Sequence, residues 1–235
     1  MLRLRVLSSK SYNAMNIKRL VFNPFRENTY LVWDDTKEAI VIDAGNVSEA
    51  ENDHLRTVVE EFGLNVVMAV NTHGHFDHTQ GVMYVVNTFS AKFACSSDDK
   101  FLMATDSSAT MYGLKCNPVP EIDLDLKECK EITFGNTTLS IIHTPGHTPG
   151  HVSLYNEEAK VLFTGDTLFR ESIGRTDLPG GDYSWIMKSI LEQIVPLGDD
   201  VTIYPGHEDS STIGHETLYN PFITEVLNNE INYKG

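Results

Sequence analysis

No stretch of the 235 residues approaches the roughly 18 consecutive apolar side chains that a membrane-spanning helix needs, which argues against a membrane partner. Positive charge is scarce as well: 18 Lys and Arg stand against 33 Asp and Glu, a formal net charge of −15. Such a chain repels phosphate backbones, so nucleic acid is a poor partner too. Cysteine is nearly absent. Cys95, Cys116 and Cys129 are scattered without metal-ligand spacing. An odd number of thiols with no export signal points to reduced side chains in the cytoplasm. Low-complexity tracts are missing, and an apolar content of 41% suffices for a packed core.

The length fits one large domain or two small ones. Residues 1–14 carry Arg3, Arg5 and Lys10, whereas a clean strand pattern opens at Met15. The expectation is a disordered extension over 1–14 and a single domain over 15–235; the rival is an extra strand through Leu2, Leu4 and Val6. Ile17–Phe22, Asn28–Trp33 and Ala39–Asp43 read as successive strands, rich in β-branched and aromatic residues. Ser48 and Glu51 form a capping box, and Leu55, Val58, Val59 and Phe62 recur at helical spacing up to Gly63. Val66–Val70 is a continuous apolar run, suited to a buried strand.

Ser97–Thr105 reads as a short helix and Cys116–Glu121 as a loop. Ile132–Phe134 and Leu139–His143 flank a Gly135-Asn136 turn, and Val152–Tyr155 and Val161–Thr164 follow as strands. Asp182 caps a helix with Trp185, Ile186, Ser189, Ile190 and Ile194 on one side. Val201–Tyr204 is a last strand, and a helix over Ile213–Leu227 is interrupted at Pro221. Strands, helix, strand and loop thus occur twice. Two halves of this kind pack sheet to sheet, with their loops along one edge.

The loops carry the chemistry. Thr72-His73-Gly74-His75-Phe76-Asp77-His78 puts three imidazoles and a carboxylate into six residues, directly behind the apolar run. Imidazole and carboxylate suit zinc, manganese or iron, and one tetrahedral ion does not easily take all four from so short a loop. A solvated His-rich turn is the bland alternative. Three later strand ends add His147, in Thr144-Pro145-Gly146-His147-Thr148-Pro149-Gly150-His151, Asp166 in Gly165-Asp166-Thr167, and His207 in Pro205-Gly206-His207. Each alone is an ordinary turn residue; together they are hard to dismiss. His151 is either a residue orienting a ligand or an ordinary buried histidine, His143 is structural, and His54 and His215 belong on the surface.

In order and spacing, H-x-H-x-D-H, G-H-T-x-G-H, G-D-T and P-G-H resemble the metallo-β-lactamase superfamily over nearly everything from Ile17 onward. The likeness is greatest to its glyoxalase II-type branch, in the short bacterial form without an extra C-terminal domain. Val41-Ile42-Asp43-Ala44-Gly45 matches an early strand of that family, with Asp43 supporting the metal loop. The resemblance implies an α/β fold, a four-layer αβ/βα sandwich of two mixed sheets flanked by helices. It implies two divalent ions, zinc first, with iron or manganese as alternatives. His73, His75 and His147 would hold one, Asp77, His78 and His207 the other, and Asp166 would bridge them. The implied activity is hydrolysis of a small-molecule thioester or ester by a metal-bridging hydroxide, with Asp77 steering or accepting its proton.

Departures from the pattern sort the branches. Many β-lactamases place a cysteine among the second-metal ligands; Gly165-Asp166 stands at that strand end here, which disfavours antibiotic hydrolysis. Nuclease branches need a basic surface that this acidic chain lacks. Arg175 stands where glyoxalase II has a substrate-binding lysine, and Asp177 near its tyrosine. Arg175 either grips a substrate carboxylate or ties its own loop, Gly174–Gly181, by a salt bridge. Gly174-Arg175-Thr176-Asp177 is also similar to persulfide dioxygenases, which use one iron on positions matching His73, His147 and Asp166. A non-enzymatic metal-binding module is the third reading, disfavoured because no ligand position is lost.

Overall fold

The computed structural model describes residues 15–103 and 116–233. The extension expected over 1–14, and its rival strand, lie outside these residues. β1 (Asn16–Phe22), β2 (Glu27–Trp33) and β3 (Glu38–Ile42) form an antiparallel meander. β4 (Asn65–Val70), β5 (Lys92–Cys95) and β6 (Leu124–Asp125) continue that sheet in parallel. In the second sheet β7 (Glu131–Phe134), β8 (Thr137–His143), β9 (Val152–Asn156) and β10 (Val161–Gly165) run antiparallel. β11 (Leu168–Phe169) and β12 (Ser172–Ile173) make a separate small hairpin. β13 (Thr202–Pro205) then pairs in parallel with β10, and β14 (Ser211–Thr212) closes the edge.

Strand periodicity explains how these sheets stack. Side chains alternate faces along a strand, so Leu31, Trp33 and Val41 face one way and Tyr30, Val32, Ile40 and Ile42 the other. The second set meets Ile132, Leu139, Leu154 and Phe163 of the opposite sheet in a shared core. Outward, the first sheet packs on Leu55, Val58 and Val59 of α1 (Glu49–Phe62). α2 (Phe76–Thr79), α3 (Val82–Phe89) and α4 (Lys100–Met103) follow, and Val82 and Val85 of α3 join that core. The second sheet packs on α5 (Tyr183–Ser189), α6 (Ile213–Tyr219) and α7 (Pro221–Tyr233) through Ile186, Ile213 and Ile223. The result is the expected four-layer αβ/βα sandwich. Each fully buried large apolar side chain is worth roughly 1.5–3 kcal/mol, whereas an exposed ion pair such as Arg56–Asp53 lies within one helix and joins nothing across the sheets. The inter-sheet core therefore dominates in holding the halves together.

Local signals mostly hold. The Ser48–Glu51 capping box forms both its bonds, and Gly63 ends α1 with φ +62°. The helix expected over Ser97–Thr105 is a 3-10 turn, Ser97–Asp99, followed by α4; residues 104 and 105 lie outside the described set. Trp185 is a correction: it is 52% exposed, whereas Ile186, Ile190 and Ile194 are fully buried and Met187 is nearly so. One residue back along a helix is about 100° of rotation, which carries Trp185 off the inward stripe. His143, taken as structural, ends β8 with its side chain exposed.

Candidate metal centre

Four strand ends deliver the site. β4 runs into His73, and the single turn of α2 then lifts Asp77 and His78 back over the strand end. The loop between β8 and β9 brings His147, the residue after β10 is Asp166, and His207 follows β13. Thr72 stitches the halves, its carbonyl accepting from Val152 N at 2.9 Å. Asp43, with φ +52° at the end of β3, supports the first loop as expected. Its carboxylate accepts from Thr72 N at 2.7 Å and Thr72 Oγ1 at 2.8 Å, and lies 3.2 Å from His78 Nδ1.

All seven predicted side chains converge. His73, His75 and His147 form one group of candidate ligands, and Asp77, His78 and His207 another, each with ligand atoms within 4.8 Å of one another. His73, His78 and Asp166 form a third group that overlaps the first two. Asp166 lies between: Oδ1 is 3.4 Å from His78 Nε2, and Oδ2 is 3.5 Å from His147 Nε2 and 3.6 Å from His207 Nε2. His207 Nε2 is also 3.3 Å from Asp77 Oδ2.

Hydrogen bonds at the outer ring nitrogens fix which inner nitrogens are bare. The Arg175 carbonyl lies 2.7 Å from His147 Nδ1 and the Phe25 carbonyl 3.1 Å from His207 Nδ1. A carbonyl only accepts, so both rings carry hydrogen at Nδ1, and Nε2 is the position that offers a lone pair once the ring is neutral. Thr72 Oγ1 already donates to Asp43, so at 3.0 Å it accepts from His73 Nδ1 and leaves His73 Nε2 bare. His75 Nδ1 and His147 Nε2 then approach to 2.8 Å. Buried atoms without a hydrogen-bond partner concentrate here: His73 Nε2, His75 Nε2, both ring nitrogens of His78, and Asp166 Oδ1. Buried polar atoms are normally satisfied, and a cluster of orphaned lone pairs around one point fits divalent cations.

Charge separates the two groups. Burial, reinforced by neighbouring imidazoles, lowers the basicity of His73 far below normal and that of His75 to about 3, so both are neutral ligands. Around the second group burial acts the same way but is outweighed. Asp166, Asp77 and Asp43 raise His78, and Asp166 and Asp77 raise His207. Burial likewise opposes ionisation of Asp166 and Asp77, yet His78 and His207 hold Asp166 well down and Asp77 below its ordinary value.

Supporting residues surround the ligands; the sequence marked some of them and missed Asp99. His151 is one of the two roles left open: its Nε2 accepts from Asp166 N at 3.0 Å, and its ring stacks on His73 at 5.1 Å. Thr144 and Thr167 lie 2.9 and 3.1 Å from its Nδ1. The Arg175 guanidinium pairs bidentately with Asp177 at 2.7 Å on both arms. His54 is exposed, whereas half-buried His215 pairs with Glu171 at 2.9 Å. Asp99, read only as part of a helix, is buried between the first and second ligand loops. No local pattern marks it, since its partners are 25 and 51 positions away.

A sandwich of this order with histidine and aspartate at its strand ends defines a class, and sequence comparison agrees. Residues 22–207 match the metallo-beta-lactamase superfamily, and the chain belongs to it. It is 39% identical over 217 residues to the hydroxyacylglutathione hydrolase GloC of Haemophilus influenzae, a match covering 89% of this chain and 98% of the relative. Among solved structures it is similar to the BLEG-1 B3 metallo-beta-lactamase, with TM-score 0.83 and 35% identity over 89% of this chain and all of that one. TTHA1623 in a di-iron-bound form aligns with TM-score 0.77 and 33% identity, covering 87% of this chain and 99% of that one. Among the described residues no helix is long and apolar enough to cross a membrane.

Proposed function

We propose that the protein is a binuclear metallohydrolase that cleaves a thioester or ester of a small molecule, of the hydroxyacylglutathione hydrolase kind. The convergence of seven ligand-type side chains, four of them with buried donor atoms that have no hydrogen-bond partner, carries this reading. His73, His75 and His147 would hold the first ion and Asp77, His78 and His207 the second, with Asp166 within reach of both groups. The His/Asp donor set suits zinc; iron is the alternative, since a relative at 33% identity is described in a di-iron form. When bound, such ions acidify a water and polarise a carbonyl.

The protein's own groups then orient and exclude. Asp77 Oδ2 lies beside His207 Nε2, where it steers the attacking water and takes up its proton. The outer carbonyls of Arg175 and Phe25 keep His147 and His207 in the tautomer that faces inward. His151 holds the main chain of Asp166 in place. A thiolate leaves without a general acid, consistent with a site that offers no uncommitted acid.

A second reading, an iron-dependent persulfide dioxygenase, has the Gly174-Arg175-Thr176-Asp177 segment in its favour. One experiment separates the readings: elemental analysis of protein purified without added metal, then assays on thioesters, lactones, phosphodiesters, a β-lactam and glutathione persulfide. Two ions per chain and thioester turnover are expected. Asp166→Ala is expected to lower turnover by at least about 10²-fold, beyond the range for residues that only support a ligand, and to reduce occupancy to one ion or none. Oxygen uptake on persulfide with a single iron would refute the hydrolase reading, and full turnover by Asp166→Ala would refute the bridging role.

A further inference from the structure

Asp99 lies outside the seven-residue set and has no solvent exposure. It ends the 3-10 turn after β5 and so belongs to the first half of the chain. Its Oδ2 accepts from Gly74 N at 2.9 Å and from Thr148 Oγ1 at 2.7 Å, while Oδ1 accepts from Gly150 N at 2.7 Å. Gly74 stands between His73 and His75, and Thr148 follows His147. One carboxylate therefore grips two ligand loops that are supplied by different sheets. The approach is close: a Cβ on Gly150 would come within 2.7 Å of Asp99 Oδ1.

We propose that Asp99 is a positioning residue that sets the separation of His147 from the His73–His75 pair and thereby the affinity of the first ion. This inference rests on the metal-site reading above. Three donors share two oxygens, and two of the donors are main-chain N–H groups that cannot accept. Asparagine offers only one oxygen. Turned one way, its NH2 group faces the N–H of Gly74 and the His73–His75 loop loses its anchor; turned the other, it faces the N–H of Gly150 and the His147 loop is left on Thr148 alone. Loss of an orienting partner behind a metal ligand lowers affinity by about 10–100-fold.

A merely structural carboxylate would behave differently, and Asp34 supplies the comparison. It too is fully buried and joins the halves, accepting from Asn136 N at 2.6 Å and Thr137 Oγ1 at 2.9 Å. It does so at the start of β8, whereas the His147 loop leaves the end of that strand.

The test is zinc titration of the metal-free full chain against a chelating indicator, with the absorption spectrum of the cobalt-substituted protein read in parallel. Asp99→Asn is expected to weaken one of the two ions by about 10–100-fold and to alter the cobalt spectrum. Asp34→Asn is expected to lower the melting temperature and leave both affinities and the spectrum as in the wild type. Thr148→Val, which keeps the carboxylate and removes one donor, is expected to weaken the same ion by a smaller factor. Wild-type affinities in Asp99→Asn, or in Thr148→Val should Asp99→Asn not fold, would overturn the proposal. Equal weakening by Asp34→Asn would do so too. A wild-type chain that takes up no ion would overturn the metal reading itself.

Discussion

Replacing Gly206 by alanine tests whether the second group is built to metal-site tolerances. A Cβ at this position would lie 2.2 Å from Asp166 Oδ1 and 2.7 Å from His78 Cε1. Ordinary contact begins at 3.4 Å, so the carboxylate must retreat by about 1.2 Å, several times the roughly 0.2 Å tolerance of a metal–ligand bond. The main chain of residue 206 has no freedom to absorb the difference. Its N–H donates to Gly165 O at 2.8 Å, and its carbonyl accepts from Asn28 N at 2.7 Å. His78 is fully buried with its ring 4.2 Å from that of His73, so it cannot swing aside.

The displacement falls on the Asp166 carboxylate. Gly206→Ala is expected to cost about 1–3 kcal/mol of stability from overpacking and to weaken the second ion by about 10–100-fold. Gly63→Ala is the control. That glycine caps α1 at φ +62° with nothing within 4 Å of its would-be Cβ, so it carries only the left-handed backbone penalty of about 1–2 kcal/mol. Denaturant unfolding and stepwise metal competition on the two variants separate the terms. A Gly206→Ala protein with two ions at wild-type affinity and full turnover would show that the reasoning from these distances is wrong.

Two further perturbations bear on groups outside the ligand set. Glu27 is fully buried, and Thr29 Oγ1, 2.9 Å from its Oε2, already donates to the Asp43 carbonyl at 2.7 Å and accepts from Gly45 N. The proton between them therefore comes from Glu27, in agreement with burial pushing this carboxyl far up from its ordinary 4.5. A raised folded value means stability that is present below the unfolded value and lost as pH climbs through the folded one. Glu27→Gln, whose amide donates to Thr29 at any pH, is expected to remove that loss, so its stability gain over wild type should grow from about pH 4.5 upward; parallel stability–pH curves would contradict the neutral acid. Arg175→Ala is expected to change stability by no more than about 1 kcal/mol and to leave metal content intact, because the main-chain carbonyl, not the guanidinium, holds His147. Loss of an ion on elemental analysis would refute that division of labour, and a raised KM confined to carboxylate-bearing substrates would assign the guanidinium to substrate.

Elements with strong local signals were legible from the residues alone: the capping box at Ser48, the apolar run before His73 and the Gly135-Asn136 hairpin. The ligand-type residues were legible too, because imidazoles and carboxylates directly behind buried strands have few other uses. Helix α3 and strand β5 were not legible, since Val82–Cys95 is apolar enough for either state and only packing against β4 decides. Trp185 was misplaced because it lies about 100° from Ile186, at the margin of an apolar stripe whose centre only packing on the second sheet decides. Tertiary structure alone decided the supporting bonds. Asp99 and the carbonyls of Phe25 and Arg175 act through partners that are distant or hidden in the main chain, and hydrogen bonds of that kind leave no periodic trace in a sequence.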